Sequence, residues 1–242
     1  MRIAFIHAHP DDETLASGAL ISWLGDRGHE VSLLTGTRGE RGEVVPGPLS
    51  HLAGTNQLEA HRDGELRGAL GVLGVTEHAY LGEPDRRYRD SGMRWITEGL
   101  AGPAEDAEAD SLCAAHPDDV VAGIIAWLRV VDPQLVISYD ADGGYGHPDH
   151  VRLHQTSLAA ARATGRGFAA LVHEPRDGAR WFELASLQPL VEEALRHHAS
   201  QLTVNGDGTL THSGGQTDCV VTSIGLLPHP GTPQAAALVA EL

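Results

Sequence analysis

Short apolar runs alternate with longer stretches of helical periodicity over roughly the first three quarters of the chain, and this restricts the fold more than any other feature. Arg2–Ile6, Val31–Thr35, His78–Leu81, Gln134–Tyr139 and Phe168–Val172 read as strands. Between them, Asp12–Arg27 places Leu15, Ala19, Leu20, Trp23 and Leu24 on one stripe. Asn56–Leu73 does the same with Leu58, Leu66, Ala69, Leu70 and Leu73, and Asp118–Val131 and Asp149–Thr164 are also helical. The alternation predicts an α/β fold, a Rossmann-like and mostly parallel sheet with helices on both faces. Such sheets bind ligands beyond the carboxyl ends of their strands.

The remaining segments are less regular. Gly36–Gly54 is a glycine-rich loop, and Thr97–Ala115 reads as an exposed loop or insertion. Gln188–Ser200 predicts a helix with His197 and His198 on a solvated face. Leu202–Leu210 has the pattern of a β-hairpin, with Cys219–Ile224 as a strand that could pair with it. Gly225–Leu242, with Pro228, Pro230 and Pro233, is expected to be irregular until a short last helix. The 242 residues suit one domain over 1–242, with a core at about 1–175 and a small C-terminal β-hairpin region within 180–242.

Thirty-three acidic against 17 basic residues give a net charge of −16. Such a surface repels phosphate backbones and anionic lipids, which argues against nucleic-acid and membrane partners. Cys113 and Cys219 lack C-x-x-C spacing and read as free thiols, in keeping with a cytoplasmic setting. The apolar run at Arg2–Ile6 is too short for a signal peptide. Oligomeric state leaves no signature.

Two segments carry the chemistry. The first, His7-Ala8-His9-Pro10-Asp11-Asp12-Glu13, follows the first strand; the second, Tyr145-Gly146-His147-Pro148-Asp149-His150, follows the strand ending at Tyr139. His9 and Asp12 lie one helical turn apart where a strand becomes a helix, so both can face one ion, with His150 as the best third ligand. A catalytic zinc site keeps three protein ligands and an open position, and zinc lowers the pKa of bound water to about 7. The donor set accepts Fe2+ as well as Zn2+. Asp11, between the ligands, is placed to act as general base. His147, as imidazolium held by Asp149, and the Tyr145 hydroxyl suit a developing oxyanion. His7 reads as a packing residue, and Glu13 as either a helix cap or support for the ligands.

A His-Pro-Asp-Asp tetrapeptide can also be a plain helix start, with Pro in the first turn and Asp as cap. A second copy, His116-Pro117-Asp118-Asp119, has no strand before it and reads that way. A dinucleotide-binding role is disfavoured, because carboxylates stand where a glycine-rich phosphate turn would be. A binding module that kept the fold would not need Asp11 beside the ligands.

The motifs AHPDDE and HPDH resemble the signatures of the LmbE-like (PIG-L) zinc de-N-acetylases. Within that family the chain is similar to the N-acetylglucosaminyl-inositol deacetylases of mycothiol biosynthesis. Matching flanks include Tyr139-Asp140, His61–Leu66 and Arg89–Met93. The resemblance implies zinc on His9, Asp12 and His150, Asp11 as base, and His147, Asp149 and Tyr145 at the oxyanion. It further implies sugar or inositol hydroxyls held by Arg62 and Asp90, with Glu40 or Glu43 close by. The implied activity is hydrolysis of the N-acetyl group of a small N-acetyl amino sugar. Amidases of mycothiol S-conjugates and deacetylases of specialised-metabolite aminosugars are the alternatives; the former typically carry Lys where this chain has Ala16. The short stretch between His150 and Gln188 and the proline-rich Gly225–Gly231 depart from the pattern of the similar enzymes.

Overall fold

The computed structural model describes every residue from Met1 to Leu242 except Glu98. The first half runs β1 (Arg2–His7), α1 (Asp12–Asp26), β2 (Glu30–Thr35), α2 (Gln57–Leu73) and β3 (Glu77–Tyr80). Then come β4 (Met93–Thr97), β5 (Leu100–Pro103), α3 (Pro117–Val131) and β6 (Leu135–Ser138). A single glycine-rich turn, α4 (Gly143–Gly146), leads to α5 (Pro148–Thr164), β7 (Gly167–Val172), β8 (Arg180–Glu183) and α6 (Gln188–Leu195). The last elements are β9 (Leu202–Val204), β10 (Thr209–His212), β11 (Thr217–Cys219), β12 (Ser223–Pro228) and α7 (Ala235–Glu241).

Seven strands form one sheet in the order β3-β2-β1-β6-β7-β12-β8. The first five are parallel, and β12 and β8 add on antiparallel, so the sheet is mostly parallel as expected. Alternate residues of each strand enter opposite layers. Ile3 and Phe5 of β1 face the core shared with α1, α2 and α6, while Ala4 and Ile6 face the layer of α3 and α5. All four are fully buried. Both faces are therefore covered, which is why the central strands read as unbroken apolar runs.

The order in which strands are added reverses between β1 and β6, which run parallel and pair through Ile3–Leu135, Ala4–Val136 and Phe5–Ile137. The segments leaving their carboxyl ends are thus neighbours, though far apart in sequence.

Four expectations need correction. Thr97–Ala115 is not a plain loop: β4 and β5 form a hairpin, and Ala101, Leu112 and Ala115 are buried. Cys219–Ile224 does not continue the hairpin as one strand: Thr217–Cys219 pairs with β10, whereas Ser223 onward joins the main sheet. The segment after Gly225 is regular through Pro228, packed between β7 and β8. Its glycine is what permits this, since a Cβ on Gly225 would lie 2.6 Å from Val172 Cγ2. The helix from Gln188 also ends early, at Leu195. Among the described residues no helix is long and apolar enough to cross a membrane.

On edge strand β3, His78 Nε2 lies 3.0 Å from Thr35 Oγ1, and burial pushes its imidazole down to about 4. Unfolded, the ring takes up its proton near 6.5, so the unfolded state binds more protons between these values. Stability is expected to fall as pH drops from 6.5 toward 4, and His78→Gln to flatten that fall in thermal melts. An unchanged slope in the variant would exclude His78 as its source.

Candidate metal centre

The Asp12 carboxylate is the hub of the site. Its Oδ2 accepts the backbone N–H of His9 (2.9 Å) and the hydroxyl of Tyr139 (2.7 Å), and lies 3.3 Å from both His9 Nδ1 and His150 Nε2. Tyr139, the first residue past β6, reaches back to the segment after β1, where its oxygen accepts the Ala8 N–H at 2.7 Å. Its ring stacks on that of His150, with centroids 4.1 Å apart. Burial opposes ionisation of Asp12, but His150 and His9 outweigh it and hold the carboxyl well below its ordinary range.

His150 is arranged as a ligand. Its Nδ1 lies 3.1 Å from the Gly143 carbonyl, to which it donates, so the lone pair belongs to Nε2. That buried atom has no hydrogen-bond partner, although it points at an anionic oxygen. A lone pair facing a carboxylate at 3.3 Å is unfavourable unless a cation stands between them. Gly143, at φ 66°, allows the carbonyl to come so close; a Cβ there would be 2.8 Å from His150 Cβ.

His9 is ringed by carboxylates. Its Nε2 is 3.2 Å from Asp149 Oδ2 and 3.5 Å from Asp90 Oδ1, and all three residues are buried. Burial alone would lower the His9 pKa, but Asp90, Asp12 and Asp149 raise it well above its ordinary value. The ring nitrogens of His9, His147 and His150 lie within 4.8 Å of one another, as do donor atoms of His9, Asp90, His147 and Asp149. So much negative charge away from water requires a compensating cation. The residues fit a divalent metal ion.

His147 caps α5, its Nδ1 accepting the Asp149 backbone N–H at 3.2 Å. The expectation of an imidazolium is not met: burial and the neighbouring His9 and His150 push its pKa down to about 3. The ring is neutral with its proton on Nε2. Nor is the Asp149 carboxylate spent on His147. It accepts the Ser91 N–H (2.9 Å), the Ser91 hydroxyl and the Cys113 thiol (3.2 Å) besides approaching His9. Tyr145, 37% exposed, stands at the mouth with its ring 5.2 Å from that of His150.

Asp11 is the N-cap of α1 at φ 107°, ψ −33°. Burial pushes its carboxyl up to about 6, against the pull of Arg62 and with the help of Asp12. Arg62, itself buried, donates to the Gly39 carbonyl (2.7 Å), the Pro10 carbonyl and Asp11 Oδ2 (3.1 Å). It meets the site through the chain's own atoms. Asp90 is fixed by Gly92 N–H on its Oδ1 (2.8 Å) and by its own N–H on Glu40 Oε2 (3.1 Å). Glu40 therefore braces Asp90 and pairs with Arg87, while Glu43 is exposed.

Tyr139, Ser91 and Cys113 carry no site role in the sequence reading. Tyr139 had a signal, being the polar end of an apolar strand directly before the second motif. His198 is a plain correction: rather than solvated, it is fully buried with Nε2 3.0 Å from Glu13 Oε1. Glu13 does more than cap, since its other oxygen accepts the Asp11 N–H at 3.0 Å. Both cysteines are free, and the His116–Asp119 segment is a helix start as expected, but the cap is His116, not an aspartate, with Nδ1 accepting the Asp118 N–H at 3.3 Å.

Residues 4–161 match the family model described as GlcNAc-PI de-N-acetylase (PIG-L). A Kineococcus radiotolerans protein named 1D-myo-inositol 2-acetamido-2-deoxy-α-D-glucopyranoside deacetylase is 45% identical over 203 residues, covering 82% of this chain and 55% of the relative. One of the same name from Streptomyces avermitilis is 36% identical over 248 residues, covering 100% of this chain and 80% of the relative. The chain thus spans little more than half the length of the Kineococcus protein. A solved deacetylase from the teicoplanin biosynthesis pathway shares the fold, with a TM-score of 0.61 at 20% identity over 95% of this chain and 99% of that one.

Loaded with zinc, the protein is expected to bind about one equivalent, and His150→Ala and Asp12→Ala to lose it by elemental analysis after dialysis. Tyr139→Phe should weaken affinity by roughly 10–100-fold, the usual effect of removing a hydrogen bond behind a ligand. A full equivalent in both alanine variants would place the ion elsewhere.

Proposed function

The chain belongs to the PIG-L family of GlcNAc-PI de-N-acetylases, and from that premise we propose that it removes the N-acetyl group of a small N-acetylglucosaminyl compound, foremost an N-acetylglucosaminyl-inositol. The names of the Kineococcus and Streptomyces relatives support the inositol glycoside. The observation that carries the reaction is the Asp11 carboxylate set beside the His9, Asp12 and His150 donors and tuned to about 6. A general base works best with a pKa near the operating pH.

In this reading His9, Asp12 and His150 hold zinc, with Fe2+ also compatible. A bound divalent ion supplies Lewis acidity toward the acyl carbonyl and lowers the pKa of water. Asp11 takes a proton from the attacking water and returns it to the amide nitrogen as the C–N bond breaks, leaving acetate and a free amine. Neutral His147 donates its Nε2–H to the carbonyl oxygen as charge grows there, and the Tyr145 hydroxyl is a second donor. Each well-aimed donor of this kind is worth roughly 2.7–4 kcal/mol. Asp149 keeps His9 oriented and supplies the peptide N–H that fixes the His147 tautomer. Asp90, beside His9, accepts a sugar hydroxyl, and Arg62 joins it in substrate binding from its place on Asp11. Residues 1–242 act as one domain, since β8 and β12 extend the sheet that bears the site. A cytoplasmic enzyme acting on a small molecule fits this reading.

The zinc-loaded protein, given N-acetylglucosaminyl-inositol, should release primary amine and acetate in equal amounts. Asp11→Ala is expected to keep the metal yet lose turnover by about 10²–10⁴-fold. Parent-like activity in Asp11→Ala would remove the base assignment. Cleavage of a mycothiol S-conjugate with no action on the acetamide would instead identify an amidase.

A further inference from the structure

The chain carries its own control for the first motif. His116-Pro117-Asp118-Asp119 enters a helix at once: Pro117 is the first residue of α3, and Asp118 has ordinary backbone angles. His9-Pro10-Asp11-Asp12 delays the helix to Asp12 and drives Asp11 to φ 107°. Such an angle is costly for a residue with a side chain and persists only when its surroundings impose it. The two copies diverge at the next position, Glu13 in one and Val120 in the other.

Glu13 is fully buried and shares its oxygens. Oε2 accepts the Asp11 N–H at 3.0 Å, the peptide group whose rotation sets that unusual φ. Oε1 lies 3.0 Å from His198 Nε2 and accepts the Thr14 hydroxyl. His198, also fully buried, comes from the turn after α6, 185 positions later. Neither residue touches the ring nitrogens and carboxylates gathered around His9.

We propose that Glu13 and His198 are positioning residues that hold the Asp11 peptide in its strained conformation and so aim the base at the reacting water. Glu13 grips the N–H, and His198 fixes Glu13 from the far side of α1. The inference rests on Asp11 being the base.

Glu13→Ala is expected to lower kcat roughly 10–100-fold, the usual cost of misplacing a reacting group by about an ångström. Metal content and KM should stay within twofold. Glu13→Gln, which keeps an oxygen for the Asp11 N–H, should recover most of the loss, and His198→Gln should fall between. In an Asp11→Ala background Glu13→Ala should cost no further turnover, because a positioning residue acts only through the group it positions. A crystal structure of Glu13→Ala, or of His198→Gln should the first not fold, should show Asp11 away from φ 107°. An additive loss in the double variant, or Asp11 unmoved in that structure, would overturn the proposal. Should the parent fail to hydrolyse the acetamide, the proposed function falls, while the crystallographic measurement still decides the role of Glu13 and His198.

Discussion

The pairing of β1 with β6 governs the rest of the molecule. These strands are remote in sequence, and their lateral hydrogen bonds bring the segments after His7 and Ser138 to one place. Tyr139 tightens that convergence, because its one oxygen serves the Ala8 peptide and the Asp12 carboxylate together. A slip of register by one residue would turn Ile3 and Phe5 toward the opposite layer and remove Tyr139 from Asp12. Core packing and site geometry therefore rest on the same register.

Charge is the second constraint. Asp12, Asp90 and Asp149 crowd around buried imidazoles with little access to water, and Asp11 stands next to them on Arg62. The protein divides them by their partners. Asp12 and Asp149 are stabilised as anions by hydrogen bonds and histidine, whereas Asp11, more poorly compensated, is the carboxylate held near neutrality. One tripeptide turn thus contains an anion suited to ligation and a neighbour suited to proton transfer. Their difference comes from surroundings, since the side chains are identical.

Periodicity showed the parallel half of the sheet, because buried parallel strands leave continuous apolar runs and their helices leave stripes. It missed β8, a strand of only four residues, and most of β12, whose Gly225 and Pro228 imitate loop composition and whose pairing depends on contacts made late in the chain. The ligand candidates could be read from spacing, since His9 and Asp12 are only three residues apart where the chain turns from β1 into α1. Their protonation could not. His147 is neutral because two other imidazoles lie beside it, a fact of three-dimensional proximity. His198 was misread for the same reason: its sequence neighbours are polar, yet the turn after α6 carries it beneath α1 to Glu13.

The place of β12 has a consequence for how the chain is made. β7 is finished at Val172, but the strand that covers its outer side begins only at Ser223. As the polypeptide leaves the ribosome, that flank waits with peptide groups unsatisfied while some fifty more residues are added. An uncovered strand of apolar composition invites a stray segment of another molecule. The late strand β12 thus shields a flank that the rest of the sheet leaves exposed.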